Sequence, residues 1–116
     1  MKAIALSQSI TLNSQRAGHN LSRSVRTPAV DDLCDAILSL RDRDECYRFF
    51  EDVCTVNELT SLSQRFAVAK MLTEKKTYLE IAQETGASTA TISRVNRALL
   101  YGSDGYSMVL ERLDRK

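Results

Sequence analysis

From Pro28 almost to the C-terminus the apolar residues of this chain recur every three or four positions, the spacing of helices that bury one face. Val30, Leu33, Cys34, Ile37 and Leu38 mark a first helix over residues 28 to about 40. Pro28 suits its opening turn, and Asp31 and Asp32 face the positive end of the helix dipole. A second helix is expected after Asp42 or Asp44 as cap, with Cys46, Phe49, Phe50 and Val53 on its apolar face and Tyr47 beside them. Thr55 and Glu58 have the T-x-x-E form of a capping box. They open a longer third helix to about residue 74, with Leu59, Leu62, Phe66, Ala69 and either Met71 or Leu72 inward. Lys75 and Lys76 then meet its negative C-terminal end. Gly102, Ser103 and Gly105 make a turn before a last helix over residues 104–113, apolar at Met108, Val109 and Leu113. With helix-length periodicity throughout, one Pro and four Gly, the pattern predicts an all-α fold.

The most informative stretch is residues 77–100, TYLEIAQETGASTATISRVNRALL. Thr77 and Glu80 repeat the capping-box form, and Leu79, Ile81 and Ala82 supply a short apolar face. Gly86 can take the positive φ that ends a helix. Ser88 is placed to cap the next one. Beyond it, Ile92, Val95 and Leu99 share one face, while Ala90, Ser93, Arg94 and Arg97 fall towards the other. Two helices around a glycine turn, the second buried on one side and offering small polar and basic groups on the other, predict a helix-turn-helix shaped for the DNA major groove. Short Ser and Thr side chains let a helix N-terminus approach the groove floor. Arg94 and Arg97 can pair with guanine or with phosphate. The candidate DNA-binding residues are Tyr78, Ser88, Thr89, Ala90, Thr91, Ser93, Arg94 and Arg97. The bland alternative is a helical hairpin with a merely solvated polar face.

Length and composition agree with one small domain. The 116 residues are 43% hydrophobic and 27% charged, ordinary values for a globular chain. Charge is unevenly spread behind a net +1. Residues 1–30 carry Lys2, Arg16, Arg23 and Arg26 and no acid. Residues 31–54 set eight carboxylates against Arg41, Arg43 and Arg48, and residues 55–101 hold six bases and four acids. The region around the helix-turn-helix is thus mildly basic, which suits one DNA-facing surface. Residues 1–27, rich in Ser, Asn, Gln and Arg, read as a flexible basic arm, and residues 28–116 as the helical domain. Small domains bury only about 60% of the surface their chains expose. The apolar faces of the first two helices therefore predict a homodimer, whose two reading helices would lie one DNA turn apart, roughly 34–36 Å. Cys34, Cys46 and Cys54 lack metal spacing and read as free, buried, reduced thiols of a cytoplasmic protein. No apolar run approaches the ~20 residues of a membrane span.

From about residue 57 to 113 the chain resembles the Trp repressor family, and within it the YerC/YecD-type, TrpR-related branch. NELTSLSQR at 57–65 and EIAQETGASTATISRVNRAL at 80–99 carry the resemblance, with ATISR at 90–94 its most specific part. The helix pattern from about Pro28 fits as well. The resemblance implies six-helix subunits in an intertwined homodimer that binds operator DNA and represses transcription. It places Ser88, Thr89, Ala90, Ser93 and Arg94 at DNA-facing positions of the reading helix, and Tyr78 and Ala82 at such positions in the preceding one. It also implies an effector pocket, with Arg65 and Arg94 where two arginines hold the indole of tryptophan and Thr55 at a further pocket position. Here the chain departs from the pattern. Val95 stands where a glycine leaves room for the indole, and Ala98 where a serine helps hold the ammonium group. A charged amine buried without a partner is costly. L-tryptophan is therefore not expected to be the effector.

An enzyme is not expected. The single His, His19, lies in the presumed arm, and no Gly-rich phosphate loop or Cys-His pair can be placed. Asp31, Asp32 and Asp35 read as helix capping and charge rather than metal ligands, and no cofactor is expected. The alternative from another class is a helix-turn-helix that binds a protein partner instead of DNA.

Overall fold

A computed structural model of the chain describes residues 25–115. Its described helices are α1 (Pro28–Leu38), α2 (Arg43–Val53), α3 (Val56–Thr73), α4 (Tyr78–Thr85), α5 (Thr89–Tyr101) and α6 (Gly105–Asp114). Six helices were expected and six are found among the described residues, with no strand between them. The arm expected over residues 1–27 falls largely outside them. The chain separates into two compact units, one ending at Phe49 and the other beginning at Phe50, so the division runs through α2.

The first unit is set by local capping. The Thr27 hydroxyl accepts from the Val30 N–H at 3.2 Å, and Pro28 opens α1. The helix stops at Leu38, two residues short of the expected end. There the Ser39 hydroxyl donates to the Ala36 carbonyl at 2.6 Å, a side-chain bond that competes with helix continuation. Of the two candidate caps for α2, Asp42 is the one used. Its carboxylate accepts from the Glu45 N–H at 2.9 Å, and Glu45 returns the favour to the Arg41 N–H at 2.9 Å. Neither α1 nor α2 holds a buried residue, and Leu33, Ile37 and Tyr47 are exposed. The expected burial of the cysteines is not found: Cys34 is exposed, and Cys46 and Cys54 are only partly covered.

In the second unit the Thr55–Glu58 capping box forms in full. The Thr55 hydroxyl accepts from the Glu58 N–H at 3.1 Å, and the Glu58 carboxylate accepts from the Thr55 N–H at 2.8 Å. At the far end of α3, Lys75 takes the left-handed conformation at φ 65°. Its N–H reaches the Leu72 carbonyl at 3.0 Å and the Lys76 N–H reaches Met71 at 3.1 Å. This pair of bonds satisfies the helix-end carbonyls as a Schellman motif, with lysine where glycine is usual.

The core consists of Val68, Ala69 and Met71 from α3, Ile81 from α4, Ala87 from the turn, and Ile92 and Val95 from α5. Leu72, Ala82, Leu99, Tyr106 and Leu110 pack around it. Two sequence expectations change. On α3 the core begins only at Val68, and Leu62, expected inward, is half exposed at 49%. Leu79 is 69% exposed rather than part of an apolar face. It lies two residues, or about 200° of helix rotation, from Ile81, and an eight-residue helix seats only one side.

Candidate nucleic-acid interface

The turn between α4 and α5 is built from four consecutive residues. Thr85 ends α4; its hydroxyl donates to the Ile81 carbonyl at 2.7 Å and accepts from the Ala87 N–H at 3.1 Å. Gly86 follows at φ 73°, its N–H donating to Ala82 at 2.9 Å. A side chain at Gly86 would meet nothing, so the conformation and not the space calls for glycine. Ala87 is buried and pins the turn to the core. Ser88 then caps α5. Ahead of α4, Thr77 caps as expected, accepting from the Glu80 N–H at 3.1 Å, but Glu80 does not return the bond, so the box is half formed.

Helix α5 is divided as its periodicity predicts. Ile92 and Val95 are buried and Leu99 is packed against the core. Thr89, Ala90, Ser93, Arg94 and Arg97 are exposed. Ala90, Ser93, Arg94 and Arg97 stand three and four positions apart and share the face turned away from the core. Neither arginine has an ion-pair partner among the described residues, where Arg115 with Glu111 is the ion pair that occurs. Both guanidinium groups are therefore available to an outside anion. Tyr78, on the first turn of α4, is partly exposed at 38%. Thr91 is half-buried, and its hydroxyl is tied to Ser88.

The residues expected from an effector pocket do not line one common cleft among those described. The Thr55 hydroxyl is spent on the capping box. Exposed Arg65 lines an open cleft of about 440 Å³ with Cys54, Asn57, Glu58, Ser61 and Leu62, and Arg94 is not part of that lining. Val95 is 2% exposed, its side chain packed in the core. Ala98 lines a different, largely apolar cleft of about 510 Å³ with Phe66, Tyr106 and Met108. The Glu58 carboxyl is held below the ordinary glutamate range by the Thr55 N–H first and the Thr55 hydroxyl second.

Sequence reasoning missed Gln64, whose amide reaches Thr85 from α3 at 3.1 Å. No periodicity marks such a residue, because its partner is a backbone carbonyl distant in sequence. It also missed Ala87, whose only signal is a small apolar residue between Gly86 and Ser88. No described residues form a group of three or more His, Cys, Asp or Glu able to hold a metal, and no described helix is long and apolar enough to cross a membrane.

Comparison with known proteins places this arrangement. Residues 29–114 match the family model for the Trp repressor protein. The uncharacterized protein YerC of Bacillus subtilis (strain 168) is 58% identical over 89 residues, spanning 77% of this chain and 86% of YerC. Among solved structures, a TrpR-like protein from Eubacterium eligens ATCC 27750 is 69% identical with a TM-score of 0.76, covering 78% of this chain and 93% of its own. A protein of Staphylococcus aureus is 58% identical with a TM-score of 0.75, covering 79% and 92%. The family model spans the helix-turn-helix and the helix α3 on which it is seated, and the chain belongs to the Trp repressor family.

Proposed function

We propose that this chain is a sequence-specific DNA-binding transcription regulator, a repressor, that places α5 in the major groove and works as a homodimer without L-tryptophan as effector. The observation that carries the reading is the division of α5. One face is locked into the core by Ile92 and Val95, and the other presents Ala90, Ser93, Arg94 and Arg97, with neither arginine in an ion pair among the described residues. Small side chains permit close approach to base edges, and the arginines supply guanine or phosphate contacts. Thr89, Tyr78 and the capped N-terminus of α5 add contacts to backbone phosphates. Ser88 and Thr91 serve the cap, which orients this face.

Dimerisation is supported by the apolar surface that one chain leaves uncovered. Leu33 and Ile37 of α1, Leu62 of α3, and Met108, Val109 and Leu113 of α6 are all exposed to 39% or more. The tryptophan reading is supported by Val95, whose side chain occupies core space.

The test is selection from a pool of random duplex DNA at two salt concentrations, with and without L-tryptophan, alongside sedimentation of the free protein. A two-fold symmetric motif, enriched equally with and without tryptophan and bound by a dimer, is the expected result. Enrichment only with tryptophan overturns the effector reading. No enrichment under any condition overturns the DNA reading and favours a protein partner for the same face.

A further inference from the structure

Gln64 lies outside the helix-turn-helix, 21 positions before Thr85, yet its side-chain amide donates to the Thr85 carbonyl at 3.1 Å. The acceptor is a carbonyl oxygen, so only the NH₂ end of the amide can face it. That carbonyl closes α4 and is one of the helix-end acceptors with no partner inside the helix. The Thr85 hydroxyl in turn accepts from the Ala87 N–H, the residue before the cap of α5. One residue thus accepts from α3 at its carbonyl and from the turn at its hydroxyl. Among the described residues, no other side-chain hydrogen bond joins positions more than four apart in sequence.

The apolar contacts that seat α5 are non-directional. A hydrogen bond has a preferred distance and angle. We infer that Gln64 is a positioning residue for the reading helix. It fixes the angle at which α5 leaves the turn, and through that angle the preference for one DNA sequence over others, without touching DNA. The inference rests on the DNA-reading role proposed above. Base-edge contacts need placement within about 0.5 Å and 10–20°. Attraction to phosphates needs far less. Loss of the clamp therefore weakens binding to the operator more than binding to arbitrary duplex.

The experiment compares full-length wild type, Gln64→Met and Gln64→Glu, below the melting temperature of all three. Met keeps the length and loses the donor; Glu turns a carboxylate oxygen towards the Thr85 carbonyl. Affinity is measured for the selected operator and for random duplex, and hydrogen exchange is followed at the Ala87 amide. The operator-to-random affinity ratio is expected to fall about three- to tenfold in Gln64→Met, and further in Gln64→Glu. Random-duplex affinity stays level in Gln64→Met, and Ala87 exchanges faster. A role confined to stability would lower the melting temperature and leave the ratio of the folded protein unmoved. An unchanged ratio in both variants, while Arg94→Ala still loses operator preference, overturns the inference and leaves the reading role standing. Wild type without any sequence preference overturns both.

Discussion

The Ser88 hydroxyl sits 3.1 Å from the Thr91 N–H, from which it accepts, and 3.1 Å from the Thr91 hydroxyl, to which it donates. Its proton and one of its two acceptor lone pairs are thereby used inside the protein. Ser88→Ala should destabilise the fold by ~1 kcal/mol, and Ser88→Gly by only a few tenths. Melting curves check the order of the two variants. Once corrected for the folded fraction, operator affinity should change little in either, because the hydroxyl serves the helix end.

Arg94 and Arg97 are exposed and unpaired among the described residues, so their removal should leave stability within about 0.5 kcal/mol. Arg94→Ala should cost about 1–3 kcal/mol of discrimination at one base position if it reads guanine. A phosphate contact at Arg97 would instead weaken all sequences alike and reduce the salt slope by about one. Titrations at several salt concentrations on operator and random duplex separate the two roles.

Val95 fills core space, so L-tryptophan should not stabilise the protein. A ligand present at 100 times its Kd adds about 2.7 kcal/mol to a fold it binds. The expected outcome is a melting temperature that does not move with millimolar L-tryptophan. Val95→Ala should be destabilising by roughly 1.5–3 kcal/mol, as loss of a buried aliphatic side chain.

Gly86 and Gly102 are required for opposite reasons, and alanine separates them. At Gly86 an added methyl meets nothing, and the cost is the positive φ, about 1–2 kcal/mol. At Gly102 the same methyl would stand 2.4 Å from the Ala98 carbonyl oxygen, so backbone must move. Gly102→Ala should be the more damaging in denaturant unfolding. Lys75→Gly should go the other way, stabilising by ~1 kcal/mol through relief of a left-handed lysine at φ 65°.

The Glu58 carboxyl is held below its ordinary range, so its ionised form favours the folded state. Its stabilisation is complete above the unfolded-state pKa and is lost as pH falls through the lowered folded-state value. Glu58→Gln should therefore melt below wild type at neutral pH, and the two curves should converge in acid. A gap that persists unchanged at low pH would assign the effect to shape and not charge.

The glycine turn, the caps at Thr55, Thr77 and Ser88, and the two faces of α5 were legible in the residues themselves. Capping acts between residues three apart, and a helix repeats its faces every three or four, so the chemistry is written locally. The end of α1, the exposure of Leu79 and the left-handed Lys75 were less legible, because each depends on a bond or a neighbour that competes with the periodic pattern.

By itself the sequence determined the helical class, the order of the six helices, and which side of α5 faces outward with Arg94 and Arg97. Those follow from spacing and from turn and cap chemistry along one stretch of chain. Only the tertiary structure decided that the core begins at Val68, that Val95 is packed in that core, and that Gln64 reaches the Thr85 carbonyl. Each of these is a meeting of residues distant in the chain, and the packing of α3, α4 and α5 alone brings them together.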